Sequence, residues 1–203
     1  MWENGERILQ RSYQERELRG REYVFEIIRR SAKPFMDMRP VKTTNDTWTV
    51  FYSAEGCMDF DSMLQINCRH GKLSLSFFLD LMEKLLTAID LAEDKMILSS
   101  SFLINGSTIW YHGQKKEIRI MYVPTEKDWK DGDNWLWKSM PTVKILFGLL
   151  EESSVIDPGF RQRWSFLEES LLKWETAGWG RCHCMAQIRK WKKEYPQGYE
   201  IEK

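Results

Sequence analysis

The sequence predicts an α+β fold in which a small antiparallel N-terminal sheet is followed by a mainly helical lobe carrying a β-hairpin. Three observations predict it. Short β-rich runs separated by turn residues occupy the first quarter of the chain; a long apolar pattern at helical spacing follows; and two further apolar runs flank a turn at 102–124 before helical patterns return. At 203 residues, with 42% hydrophobic and 30% charged residues, the chain is sized for a single domain, 1–203. Its β-rich lobe is expected over about 13–70 and its helical lobe over about 71–195.

In the first lobe, Tyr23, Phe25 and Ile27 alternate with Val24, Glu26 and Ile28, which predicts a first strand. Residues 36–41 and 47–52 read as two more strands, joined by a turn at Asn45 and Asp46. A short helix is predicted around 59–66. From there Leu75, Phe78, Leu79, Met82, Leu85, Leu86 and Ile89 recur at helical spacing over 74–93, with Ser74 as N-cap and Leu73 placed to staple onto Phe78. Phe77, Leu81 and Ala88 widen the stripe, so this helix should be covered on most sides. In the hairpin, 102–104 reads as a short strand, Asn105-Gly106 as a positive-φ turn, and 109–111 pairs with 118–123 around His112 to Lys116. Helices are predicted over 135–151, from an N-cap at Asp157 to Gly178, and over 182–195.

Lys plus Arg and Asp plus Glu each count 30, so no global field draws a phosphate backbone, and nucleic-acid binding is not expected. No apolar run approaches the roughly 20 residues a membrane span needs, and the start is too polar for a secretory signal, so a cytoplasmic location is expected. Four cysteines, Cys57, Cys68, Cys182 and Cys184, read as free thiols of a reducing compartment.

Several side-chain groups are candidates for chemistry. Cys182, His183 and Cys184 are potential metal ligands, but structural zinc sites space their cysteines differently, so no metal and no cofactor is expected. Cys68, His70 and His112 would be the parts of a Cys/His enzyme, with no orienting carboxylate or amide evident. The basic run at 189–195 reads as a terminal helix docked through Trp191, the alternative being an anionic surface. Asp128, Asp131 and Asp133 read as a solvated loop. Trp129, Trp135 and Trp137, beside Met140, exceed what one helix stripe can bury and are the candidate partner-binding anchors.

The order strands, long buried helix, β-hairpin, helices resembles a protein kinase reduced to its essentials. More specifically, the chain resembles a Gram-positive bacterial domain family often fused to forkhead-associated modules, itself similar to the cytosolic pseudokinase domain of the type VII secretion membrane protein. Tyr13, Glu15, Arg16, Gly20 and Tyr23 match the start of that family, the long helix matches its leucine-rich helix, and the hairpin ending at Tyr122 and Pro124 matches its Tyr-x-Pro strand, over about 13–151. Laid on a kinase catalytic segment, Leu103 stands where the base would be, Thr108 where the metal-binding Asn would be and Tyr122 where the metal-binding Asp would be. Gly20 alone cannot wrap phosphates. The family's helix between its first two strands is expected to be missing, because residues 31–35 bridge the strands directly. The resemblance therefore implies a non-enzymatic docking or scaffold domain with protein partners, in a secretion or pilus machine, with self-association left open. The alternatives are the Cys/His enzyme and a phosphopeptide or nucleotide sensor that binds without turnover.

Overall fold

The computed structural model describes residues 2–3, 6–31, 33–60, 62–63, 75–124, 169, 173 and 181–194. The chain divides into two compact units, one formed by 1–59 with 88–128 and the other by 60–87 with 129–203.

The first unit holds a four-stranded antiparallel sheet in the order β1-β2-β4-β3, with β1 at Trp2–Glu3, β2 at Glu6–Gln14, β3 at Met38–Lys42 and β4 at Thr47–Ser53. Its period-two pattern separates two faces. Tyr13, Met38, Val50 and Tyr52 are buried on one side, whereas Gln10, Ser12 and Arg39 are exposed on the other. The buried phenols are satisfied by each other and by backbone: Tyr13 and Tyr52 share a hydroxyl contact of 3.0 Å, and the Tyr52 hydroxyl donates to the Tyr122 carbonyl at 2.7 Å. Burial pushes the Tyr52 phenol far above its ordinary pKa, so this pair stays neutral.

Two expectations fail here. The strand expected around Tyr23 to Ile28 is a helix, α2, at Glu22–Arg30, preceded by the short α1 at Glu15–Leu18; the first long strand is β2, further upstream. Val24, Phe25 and Ile28 are buried while Tyr23 is 40% exposed, which is helical spacing and not alternation. The helix also realises contacts that a strand cannot: Glu26 accepts from Arg29 and Arg30 at i+3 and i+4, and those arginines sit in the last turn, where cations suit the dipole. Consequently a helix does lie between β2 and β3, contrary to the expected omission.

The second sheet of this unit is β5-β6-β7, with β5 at Cys57–Asp59, β6 at Ile109–His112 and β7 at Glu117–Ile120. The expected pairing is present for 109–111 with 118–120, in the register Ile109↔Ile120 and Tyr111↔Ile118, while residues 121–123 lie beyond the strand; β5 adds a third strand with Cys57 opposite His112. Residues 102–104 do not form a strand. Phe102 makes a single bridge to Pro124, and a 3-10 turn occupies Ser99–Ser101. The Asn105-Gly106 turn does not use positive φ, because side chains close it instead: Asn105 Oδ1 accepts from the Ser107 amide at 3.0 Å and hydroxyl at 2.8 Å, and Thr108 Oγ1 accepts from the Asn105 amide at 2.9 Å. Positive φ falls on Lys116, at 51°, between β6 and β7, and on Gly56, at 65°, where an added Cβ would meet the His112 ring at 2.9 Å.

The chain between α2 and β3 is fastened to the second sheet. Ile120 donates to the Pro34 carbonyl and accepts from the Met36 amide, each at 3.0 Å, while Arg119 Nη1 donates to the Phe35 carbonyl at 3.1 Å. Lys95 donates to the Ser31 carbonyl at 2.8 Å and to the Lys33 carbonyl, satisfying acceptors at the end of α2. Beneath this loop Phe35 packs edge-on against Phe102 and Tyr122, with ring centroids 5.1 and 5.7 Å away, and Phe25 meets Tyr122 at 6.0 Å.

In the second unit, helix α3 at Leu75–Glu93 contributes its residues up to Thr87, and helix α4 occupies Arg181–Glu194. Phe78, Leu79, Leu81, Met82, Leu85 and Leu86 are all buried, as the width of the apolar stripe implies. On α4, Cys184, Met185, Ile188 and Trp191 are buried, so its apolar side is already covered within the protein and is not offered to a membrane. Its cations are engaged as well: Arg189 Nε meets Glu83 at 2.8 Å, Lys192 Nζ meets Asp80 at 2.9 Å and Glu83 at 2.7 Å, and Lys84 also pairs with Asp80. Of the short helix expected at 59–66, Asp59 belongs to β5, Phe60, Ser62 and Met63 are helical, and the remainder lies outside the described residues. So do the Ser74 cap, the helix expected at 135–151 and the start of the next at Asp157.

This charge network has a pH signature. Burial pushes the Asp80 and Glu83 carboxyls up, but hydrogen bonds and charge from Lys192, with Lys84 on Asp80 and Arg189 on Glu83, hold both below their ordinary values. Burial pulls Lys192 down, and the two carboxylates more than reverse it, raising its pKa. The carboxylates therefore contribute stability that is present above about pH 4 to 5 and lost as pH falls through their depressed folded values, and Lys192 one that is lost only as pH rises through its raised value. Lys192→Met should lower stability by about 1 kcal/mol at pH 7 and by much less at pH 3. Denaturant midpoints at the two pH values measure the difference, and an equal loss at both would show that the pairs do not couple to folding.

Candidate docking groove

The groove is built by α1 and α2 lying along β3 and the start of β4. Leu18, the one buried residue of α1, and Phe25, on the inward stripe of α2, meet Met38 and Pro40 of β3 and Trp48 of β4. Together they floor a cavity of about 640 Å³, within the range of ligand and peptide pockets. Leu18, Phe25 and Met38 are buried, whereas Pro40 and Trp48 are half-buried.

Charged side chains rim this floor. The helical wall carries Glu15, Glu22, Glu26 and Arg29, and Arg39 of β3 borders the cavity from a position that alternates to the sheet face opposite Met38 and Pro40. Glu15 pairs with Lys42 at 3.1 Å, and Lys42 also lies 5.8 Å from the centre of the Trp48 ring. Glu26 and Arg29 neutralise each other at 2.9 Å, and hydrogen bonds from Arg29 and Arg30 hold the Glu26 carboxyl below its ordinary pKa. Glu22 and Arg39 are both exposed, and neither has an ion-pair partner among the described residues.

The groove was not anticipated from sequence. Its parts are spread from Glu15 to Trp48, and reading α2 as a strand removed one of its walls. The signal that was present is the spacing of Glu26 with Arg29 and Arg30, which belongs to a helix.

The residues singled out from sequence have separate fates. Trp129, Trp135, Trp137 and Met140, and also Cys68 and His70, lie outside the described residues. Cys182 is exposed and Cys184 fully buried on the same helix, so the two thiols point apart and cannot close on one ion with His183 between them. Burial pushes the Cys184 thiol up to about 11, away from the thiolate that metal binding requires. His112 is held over Gly56, and its Nδ1 accepts from the Lys115 amide at 3.3 Å; burial first, then Lys115 and Arg119, lower its pKa. Cys57, opposite it across the strands, has its thiol raised by burial, so the pair is not primed as a nucleophile and base. Among the described residues no group of three or more His, Cys, Asp or Glu side chains is arranged to hold a metal ion.

The three hairpin positions are equally occupied by structure. Leu103 is exposed and donates its amide to the Val123 carbonyl at 2.7 Å. Thr108 is fully buried, with its hydroxyl donating to the Leu103 carbonyl at 3.0 Å. Burial pushes the Tyr122 phenol up to about 12, against the pull of nearby Arg21.

These features define a mixed α/β protein with two small antiparallel sheets, several helices and a charge-rimmed apolar groove. Comparison with solved structures adds a likeness. The chain is similar to the crystal structure of the cytoplasmic fragment of ESSB from Staphylococcus aureus, with a TM-score of 0.42 and 11% identity over 72% of this chain and 78% of that one. A likeness of that size carries no argument about function. No family profile and no curated protein matches the chain. Among the described residues no helix is long and apolar enough to cross a membrane.

Proposed function

We propose that this chain is a non-catalytic, kinase-like docking domain of a bacterial protein assembly, and that the groove between α2 and β3 is its docking site. The groove carries the reading: an apolar floor with half-buried Pro40 and Trp48 is what a protein partner can fill. The secretion or pilus setting rests on the sequence resemblance alone.

Phosphoryl transfer needs a carboxylate base and carboxylate or amide ligands for magnesium. The hairpin adds no Asp or Glu at Leu103, Thr108 or Tyr122 for a base or for magnesium.

Two measurements test the proposal. ATP with magnesium should leave the melting temperature unchanged and release no phosphate; a saturable rise would overturn the non-binding half, since a ligand at a hundredfold excess over its Kd stabilises by about 2.7 kcal/mol. Affinity capture from native cells should recover a partner on the wild type that is depleted on Trp48→Ala. Equal recovery on both would remove the groove from the docking role.

A further inference from the structure

The strand wall of the groove narrows the choice of occupant. Met38, Arg39 and Pro40 line the cavity in succession. Neighbouring strand residues point to opposite faces, so three in a row border one space only where that space reaches the free edge of the strand. β3 is the last strand in the order β1-β2-β4-β3, and one of its edges is unpaired by any strand. The Ser53 amide donates to the Asp37 carbonyl at 2.9 Å, and the Thr43 amide to the Thr47 carbonyl at 3.0 Å, both between β3 and β4. Alternation then gives the odd-numbered residues of β3 to that ladder and turns the amides of Met38 and Lys42, with the carbonyls of Met38, Pro40 and Lys42, to the free edge. None of these groups has a hydrogen-bond partner there among the described residues. Resting on the docking reading, we propose that the groove takes an extended protein segment that adds to the 5 residues of β3 as an antiparallel strand, between β3 and α2.

Complementarity names this occupant. A row of alternating carbonyls and amides at strand spacing matches another extended backbone, which can bond at Met38 and Lys42 through both groups and at Pro40 through the carbonyl. Pro40 has no N–H to give, so it sits where strand prolines are tolerated, at an edge, and it discourages indiscriminate pairing there. Side-chain fit then decides what binds. Residues of the segment opposite Met38 and Pro40 fall on the face where Phe25 and Trp48 floor the cavity, and should be apolar. The residue opposite Arg39 falls on the other face, beside an exposed guanidinium with no ion-pair partner, and should be acidic. A second copy of this chain fits poorly: with β3 laid antiparallel on β3, the centred register sets Pro40 against Pro40 and leaves the middle of the ladder unbonded.

Random peptides of about a dozen residues displayed on phage would be selected on the full chain, and the enriched ones synthesised with each backbone amide methylated in turn and measured by fluorescence anisotropy. An added strand turns alternate amides toward β3, so methylation should weaken binding about tenfold at every second position of the bound stretch and by less than about twofold between them. The Lys42 amide of the protein should exchange its hydrogen about tenfold more slowly once peptide saturates the site. Enriched peptides should carry an acid flanked by apolar residues, and Arg39→Glu should cost them about twofold to fivefold in affinity with an unchanged denaturant midpoint. Peptides that fail on Trp48→Ala, yet show no period-two response to methylation and no slowing at Lys42, would overturn strand addition and leave the docking reading standing. No peptide sensitive to Trp48→Ala would end both. Self-association in sedimentation that slows Lys42 exchange without peptide would make a second copy the occupant and also overturn the proposal.

Discussion

Phe35→Ala should destabilise the protein by about 3 to 5 kcal/mol, the largest effect expected of a single substitution in the first unit. Phe35 is fully buried, and its ring is the hub of the aromatic group, edge-on to both Phe102 and Tyr122. Truncation removes transfer free energy, leaves a cavity the size of the ring and cancels two edge-to-face contacts worth roughly 0.5 to 1.5 kcal/mol each beyond their area. The cavity resists collapse because the backbone on either side is fixed: Pro34 and Met36 bond to Ile120, and the Phe35 carbonyl accepts from Arg119. Phe51→Ala is the matched control, since Phe51 lies half-buried on the outer face of the sheet and its loss should cost much less. Urea midpoints at constant m-value measure both. A loss below about 1 kcal/mol for Phe35→Ala would mean that the loop and not the ring holds this region together.

How far the fold was legible depends on whether polarity reported burial. In α3 it did: Phe78, Leu79, Met82, Leu85, Leu86 and Ile89, which recur at helical spacing, are buried, and the extra apolar positions forecast cover on most sides. The β6-β7 register was equally readable, because Ile109, Ile118 and Ile120 are inward residues flanked by a polar turn. In β2 polarity misled. Arg7 and Arg11 share a face with Tyr13, and Arg7 lays its guanidinium 5.1 Å from the centre of the Trp110 ring, so a charged residue serves an inward position through its stem and its cation-π contact. In α2 the apolar run is short enough to satisfy both periods, and the joint burial of Val24, Phe25 and Ile28 selects the helix. The turn at Asn105 shows a third kind of failure: an Asn-Gly pair suggests backbone geometry, yet the side chains of Asn105 and Thr108 closed the turn first. The groove was invisible because each of its residues has an ordinary local explanation, and only the packing of α2 on β3 gives them a common purpose.

In the second unit the decisive substitution is Leu86→Ala on α3. Leu86 is 1% exposed, and Leu85, Met82 and Leu81 around it are no more open, so truncation removes three heavy atoms from a site with no room to solvate the gap. A loss of about 2 to 5 kcal/mol is expected, toward the lower end if neighbouring methionine side chains, which are unbranched and flexible, move into the space. Thr87, the next residue, is exposed, and its hydroxyl donates back to the Glu83 carbonyl at 2.8 Å, a bond that does nothing for packing. Thr87→Ala should therefore leave stability within about 0.5 kcal/mol or raise it slightly, because alanine is the better helix former. The pair isolates burial from helix propensity, since both variants end in alanine one residue apart on the same helix. If the two urea midpoints coincide, helix propensity dominates at this turn, and α3 is not the buried element that its apolar spacing implies.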